Sequence, residues 1–163
     1  MPAGSPEPAV SDKQAIFVSY LSKGGNLAKL GNVSTQDLEA TYSMAYNKYQ
    51  GGQYEEAARA FQYLCFYDQW NPRNFICLGA CQLMLGVYTQ AIQTLSFAFK
   101  LDRRNPLPMV YVGDARMALK QLDKAYRAYA TALKLAKVTN FQHEEMTRVK
   151  SVLSRLNANK GRN

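Results

Sequence analysis

Apolar positions along this chain recur at helical spacing, and a set of small residues returns with them at a longer period. Ala45, Gly79 and Gly113 stand 34 residues apart. Twelve residues after each comes an alanine, at Ala57, Ala91 and Ala125. Sixteen after comes a large apolar side chain, at Phe61, Leu95 and Tyr129, and nineteen after come Leu64, Ala98 and Ala132. Gly52 and Gly86 hold a turn position that the third copy fills with Lys120; Tyr54, Tyr88 and Leu122 follow it. The copies therefore run 38–71, 72–105 and 106–139. Pro72 and Pro106 open the second and third, and proline suits the first helical position, where no N–H bond is lost. Glycine suits the residue just past a helix end, which takes a left-handed conformation. Each copy is thus predicted to be a helix, a short turn and a second helix. The small columns let the two helices approach, and the large column is expected to fill the gap to the next copy.

The flanks carry their own helix signals. Ser34 with Asp37 three residues later reads as a helix start, with Val33 and Leu38 as the apolar staple around it. Upstream, residues 12–23 place Ile16, Phe17, Tyr20 and Leu21 at helical spacing, and Gly24-Gly25 ends the run. Downstream, Asn140 is expected to cap a last helix to about Leu156, with Phe141, Met146, Val149, Val152, Leu153 and Leu156 as its apolar face. The predicted organisation is all-α: a disordered proline-rich tail over 1–11, an N-terminal helical region over 12–33, and the repeat region over 34–139. A C-terminal capping helix over 140–157 and a polar disordered tail over 158–163 complete it.

A period of 34 with these columns resembles the tetratricopeptide repeat. Such units cannot bury their faces alone and stack on their neighbours. The resemblance implies a superhelix whose first helices line a concave groove, with positions 2, 5, 9 and 12 of each unit facing it. In the first unit these are Glu39, Tyr42, Tyr46 and Tyr49; in the second, Arg73, Ile76, Ala80 and Leu83; in the third, Leu107, Val110, Asp114 and Met117. Tyr42, Tyr46 and Tyr49 form one stripe on one helix face. Two readings of that stripe stand: core beneath the N-terminal helix, or the wall of a binding surface wetted at its phenol edge.

The similarity narrows further. Gly24-Gly25-Asn26-Leu27 after a short amphipathic helix, the run from Tyr42 through Tyr54, Phe61-Gln62-Tyr63-Leu64-Cys65 and Leu78-Gly79-Ala80-Cys81-Gln82 resemble the class II chaperones of bacterial type III secretion. The resemblance covers about residues 12–156. It implies a cytoplasmic, non-enzymatic bacterial protein that binds an extended N-terminal segment, of Pro-x-Leu-x-x-Pro type, of hydrophobic translocator proteins. Such a protein keeps its clients soluble and separate before export. The groove residues implied are Tyr42, Tyr46, Tyr49, Ile76, Ala80 and Leu83, with Phe61 in support. A homodimer contact is implied around Ile16, Phe17, Tyr20 and Leu21, and a transcription activator is a further partner of some members. A general tetratricopeptide adaptor, or a cofactor of such an activator, is the alternative reading.

Composition sets limits on the chemistry. Apolar types make up 47% of 163 residues and charged types 20%, enough for a real core. One histidine and three cysteines leave no place for a structural zinc site, a histidine-based triad or a disulfide framework, so no metal, cofactor or catalytic residue is expected. The chain has no glycine-rich phosphate loop: Gly24-Gly25 and Gly51-Gly52 lack the Lys-Ser/Thr continuation. No leader peptide and no membrane span is expected, and Cys65, Cys77 and Cys81 read as buried thiols of a reducing compartment. The net charge of +8 raises nucleic acid as a partner, but it is lopsided: 0 over 1–37, −2 over 38–71, then +3, +4 and +3 over 72–105, 106–139 and 140–163. Lys120, Lys124, Arg127, Lys134 and Lys137 are spaced like a solvated helix face, with no aromatic-basic motif of an RNA module. No direct nucleic-acid partner is expected. A carboxylate clamp of the kind some tetratricopeptide adaptors use is excluded too, since Tyr42, Tyr46, Cys77, Leu107 and Tyr111 stand where its cations and amides would be.

Overall fold

The structure, a computed structural model, describes the backbone from Val10 to Lys160 and side chains over 14–158; most of the tail expected over 1–11 and residues 161–163 of the C-terminal one lie outside the described residues, while 158–160, expected to be disordered, continue the last helix. Among these residues there are nine helices and no strand: α1 (Val10–Ser22), α2 (Leu27–Leu30), α3 (Thr35–Gln50), α4 (Tyr54–Tyr67), α5 (Pro72–Met84), α6 (Tyr88–Leu101), α7 (Leu107–Ala118), α8 (Leu122–Thr139) and α9 (Glu144–Lys160). α3–α4, α5–α6 and α7–α8 are the three repeat hairpins, each packed on the next through α4·α5 and α6·α7. The first helices α3, α5 and α7 thereby lie side by side. α9 lies across α8 and touches α7, covering the apolar face that the last unit of a stack would leave open.

The same turn closes all three hairpins. At Gly52 (φ +77°) and Gly86 (φ +75°) the chain takes the left-handed conformation. The N–H of that residue then bonds the carbonyl three back, and the next N–H the carbonyl five back: Gly52 to Tyr49 and Gln53 to Lys48, Gly86 to Leu83 and Val87 to Gln82. The third copy keeps the turn without the glycine. Lys120 adopts φ +57°, bonds Met117 at 2.9 Å, and Gln121 bonds Arg116 at 2.9 Å.

Helix starts follow the side-chain signals. Ser34 and Asp37 form the expected capping box, and buried Leu38 packs with Val33 in the first core cluster. Asn71 caps α5 ahead of Pro72, while Pro106 stands one residue before α7. Asn140 departs from expectation. It takes φ +53° and ends α8, with Phe141 N–H bonded to the Ala136 carbonyl at 2.8 Å. The last helix starts at Glu144 instead. Asparagine is favoured both at helix starts and in the left-handed position past a helix end, so its identity alone did not separate the two.

The columns of small and large residues also meet differently from the expectation. A Cβ on Gly79 would lie 2.5 Å from Leu95 Cγ, and one on Gly113 would lie 2.4 Å from Tyr129 Cε1. The large residue therefore folds over the small residue of its own hairpin before it reaches the next unit. Phe61, Leu95 and Tyr129 are all buried, and each such side chain contributes about 1.5–3 kcal/mol.

At the N-terminal end, polar bonds add to the burial of Ala28 in the first core cluster. Gln69 Nε2 and Trp70 Nε1 both donate to the Gly25 carbonyl, at 2.8 and 2.9 Å, and Leu27 N–H donates to Gln69 Oε1 at 3.2 Å. This clamp ties the corner after α1 to the end of α4. α1 itself packs against none of the other described helices.

Candidate peptide-binding groove

The tyrosine stripe on α3 is the centre of the site. The rings of Tyr42 and Tyr46 stack with centroids 6.2 Å apart, and Tyr46 and Tyr49 with centroids 6.4 Å apart. Tyr42 meets the buried Phe61 edge-on at 5.6 Å, and Tyr49 meets Tyr54 in the same manner at 5.5 Å. Tyr46 is exposed, while Tyr42 and Tyr49 are half-buried. Since α1 packs on no other helix, the stripe is not core beneath the N-terminal helix.

α5 and α7 supply the facing wall. A cleft of about 100 Å³ is lined by Tyr46, Tyr49, Ile76, Cys77, Ala80 and Tyr111. Of the expected groove residues, Tyr46, Tyr49, Ile76 and Ala80 come together there. Tyr42 lies at the edge, hydrogen-bonded through its hydroxyl to Cys77 Sγ at 3.3 Å and covered by the Arg73 guanidinium, 3.8 Å from the ring centroid. Arg73 is also ion-paired to Glu39 at 2.6 Å. Phe61 supports Tyr42 from below. Leu83 is not part of the cleft lining and packs instead in the middle core cluster with Val112 and Leu95.

The third unit does not present its expected positions. Val110 is fully buried, and Met117 packs in the cluster that α9 completes. Asp114 accepts a bidentate pair of bonds from Arg148 of α9, both at 2.8 Å, and a further one from the Tyr129 hydroxyl at 2.6 Å. α9 has taken these groove positions for itself. Cys77 and Tyr111 are cleft residues that the sequence reading passed over, each one position after an expected residue. Tyr111 carried the same signal as the α3 stripe, an aromatic with a polar tip.

No charged side chain lines the cleft. Burial, with the nearby Glu145 charge as the next cause, pushes the Tyr111 hydroxyl up to about 12. Burial raises Tyr42, with its hydrogen bond to Cys77 adding to the effect, and burial raises Tyr49 and Cys77 as well. The cleft therefore offers apolar ring faces, a small flat floor at Ala80 and neutral hydroxyl groups. That combination suits an extended segment whose apolar side chains insert between rings while hydroxyls meet its backbone.

Comparison with known proteins bears on the fold and the family. The tetratricopeptide repeat family profile matches residues 38–71, the first hairpin. The low calcium response locus protein H of Yersinia pestis is 35% identical over 148 residues, which span 90% of this chain and 88% of that protein. A type III secretion complex from Aeromonas hydrophila superposes with a TM-score of 0.85 at 30% identity, covering 91% of this chain and 99% of the other. The type III secretion translocator chaperone SycD of Yersinia enterocolitica gives 0.73 at 32% identity, covering 80% and 98%. The chain belongs to the type III secretion translocator chaperones. SycD has also been solved in an alternative dimer and in complex with a peptide of the translocator YopD.

The residues expected at a chaperone dimer contact divide into two groups. Ile16 and Phe17 are exposed, as is Val18 between them and the corner. Tyr20 and Leu21 are half-buried. The Tyr20 hydroxyl donates to the Asn26 carbonyl at 3.0 Å and accepts from the Asn26 N–H at 3.1 Å, so it holds its own corner.

Proposed function

We propose that this chaperone holds an extended N-terminal segment of a hydrophobic translocator in the cleft between α3, α5 and α7, and that Tyr46, Tyr49, Ile76, Ala80 and Tyr111 grip the segment's apolar side chains. Tyr42, Phe61 and Leu83 act behind them, as supports of the wall. The observation that carries this reading is the open stack of Tyr42, Tyr46 and Tyr49 facing α5, in a chain whose relative SycD is seen with a translocator peptide. The protein works by binding, as a non-enzymatic bacterial cytoplasmic chaperone. No described helix is long and apolar enough to cross a membrane. The exposed Ile16 and Phe17 of α1 are the contact through which two copies pair.

Co-expression with the cognate translocator tests the reading. With the chaperone present, the translocator is recovered in the soluble fraction and co-purifies with it. A translocator that is equally soluble without the chaperone, or that never co-purifies, would contradict it.

A further inference from the structure

The hollow between α8 and α9 is larger than the tyrosine cleft and shares no lining residue with it. It measures about 380 Å³ and is bounded by Leu133 and Ala136 of α8, Phe141 of the connection and Met146 of α9, with Lys137, Asn140 and Lys150 at its rim. Its size falls in the range of about 300–1,000 Å³ found for ligand sites. Asn140, in the left-handed conformation that ends α8, stands at its edge where the chain turns toward α9.

Charge around the hollow has one sign. Lys137 and Lys150 are both exposed, and no carboxylate is among the lining residues. Glu145 is turned to Arg148 at 2.6 Å, and Glu144 lies two residues from Met146, roughly 200° around α9 and on its far face. At 100° per residue, Lys124, Arg127 and Lys134 form one exposed stripe along α8, interrupted by Asp123 at its N-terminal end, and Lys137 carries it round to the rim; Lys120 stands in the turn before the helix. Lys137 also sits in the last turn of α8, where a cation complements the helix dipole; Lys150 and the stripe have no such role.

We propose that this hollow is a second docking site, which takes an acidic protein segment bearing a pair of bulky apolar side chains. One side chain of the pair enters between Phe141 and Met146. Carboxylates before and after it meet Lys150 and the lysines of α8. This site is independent of the groove reading, because its residues are separate and its ligand has the opposite character to a neutral apolar segment. It gives the excess positive charge of the C-terminal half a partner.

A fluorescein-labelled synthetic peptide with a central Leu-Phe pair flanked by glutamates, titrated with the full chain and followed by fluorescence anisotropy, tests the proposal. The peptide binds saturably, and Lys137→Glu with Lys150→Glu weakens it by about tenfold or more. Lys137→Gln with Lys150→Gln acts in the same direction with a smaller effect. Replacing Leu-Phe by Ala-Ala in the peptide also weakens binding, whereas Tyr46→Ala in the protein does not. Both lysines are exposed, so helicity by circular dichroism is unchanged in these variants. Absence of saturation by about 1 mM would overturn the proposal, as would equal loss from reversing the remote Lys23 and Lys29. Equal affinity for the Ala-Ala peptide would reduce the site to plain charge attraction and overturn it. Random duplex DNA that binds more tightly, and is lost through the same reversals, would assign the surface to nucleic acid instead.

Discussion

Lys120 holds a backbone conformation that costs an L-residue about 1–2 kcal/mol, and it does so because the turn around it satisfies two carbonyls at the end of α7. Lys120→Gly is therefore expected to stabilise the fold by about 1 kcal/mol, read as a higher urea midpoint. The opposite sign is expected at Gly79 and Gly113. Alanine has the better helix propensity by about 1 kcal/mol, yet a Cβ there meets Leu95 or Tyr129 at 2.5 Å or less. Gly79→Ala and Gly113→Ala should each lower stability by about 1–3 kcal/mol in the same titration. The thiols define a pH dependence. Burial pushes Cys65 and Cys81 up to about 12 and raises Cys77, so all three stay neutral in the fold. In the unfolded chain they ionise near pH 8.5. The stability they contribute is complete below that value and is lost as pH rises toward 12. The melting temperature should decline above about pH 9, less steeply in a variant with all three replaced by alanine. Thiol labelling at pH 8 should be slow in the native protein and complete in urea.

Between α7, α8 and α9 the decisive group is Asp114. It joins Arg148 on α9 to the buried Tyr129 hydroxyl on α8. Arg148 is 43% exposed, so its loss as Arg148→Ala is screened and costs about 1 kcal/mol. Asp114→Ala also strips the buried hydroxyl of its acceptor and costs about 2 kcal/mol. Chemical denaturation of the two variants should rank them in that order. The same residue shows where the sequence reading stopped. A period of 34 identified the first helix of each unit; of the groove residues expected in units one and two, Tyr46, Tyr49, Ile76 and Ala80 line the cleft, while Tyr42 lies at its edge and Leu83 packs in the core. For the third unit the family resemblance assigns Val110 and Asp114 to an open groove, but an end unit must be covered, and α9 covers it. Nothing in the repeat columns states which face the cap will take. α2 was missed for a related reason: at four residues it is too short to show a period, and its place is set by the Gln69 and Trp70 bonds to Gly25.

Across the described residues, three apolar clusters follow one another from Ala28 to Leu156, and the polar work lies at their edges. One edge is the tyrosine cleft, the other the basic corner of α8 and α9. The tyrosine stripe was visible in the sequence as three tyrosines on one helical face, with core and binding wall both open readings, and the groove itself came from the family resemblance. The inward displacement of Tyr42 was not visible, because it depends on Phe61 and Cys77 arriving from other helices. Tyr42 is therefore a poor probe of binding, since its removal also disturbs the first core cluster. Tyr49 packs against the same cluster, so the exposed Tyr46 is the better one. The most direct measurement is calorimetric titration of the cognate translocator's N-terminal segment into the wild type and into the Tyr46→Ala variant. A loss of about tenfold to a hundredfold in affinity with unchanged helicity is predicted; equal affinity for the two proteins would contradict the placement of the segment in this cleft.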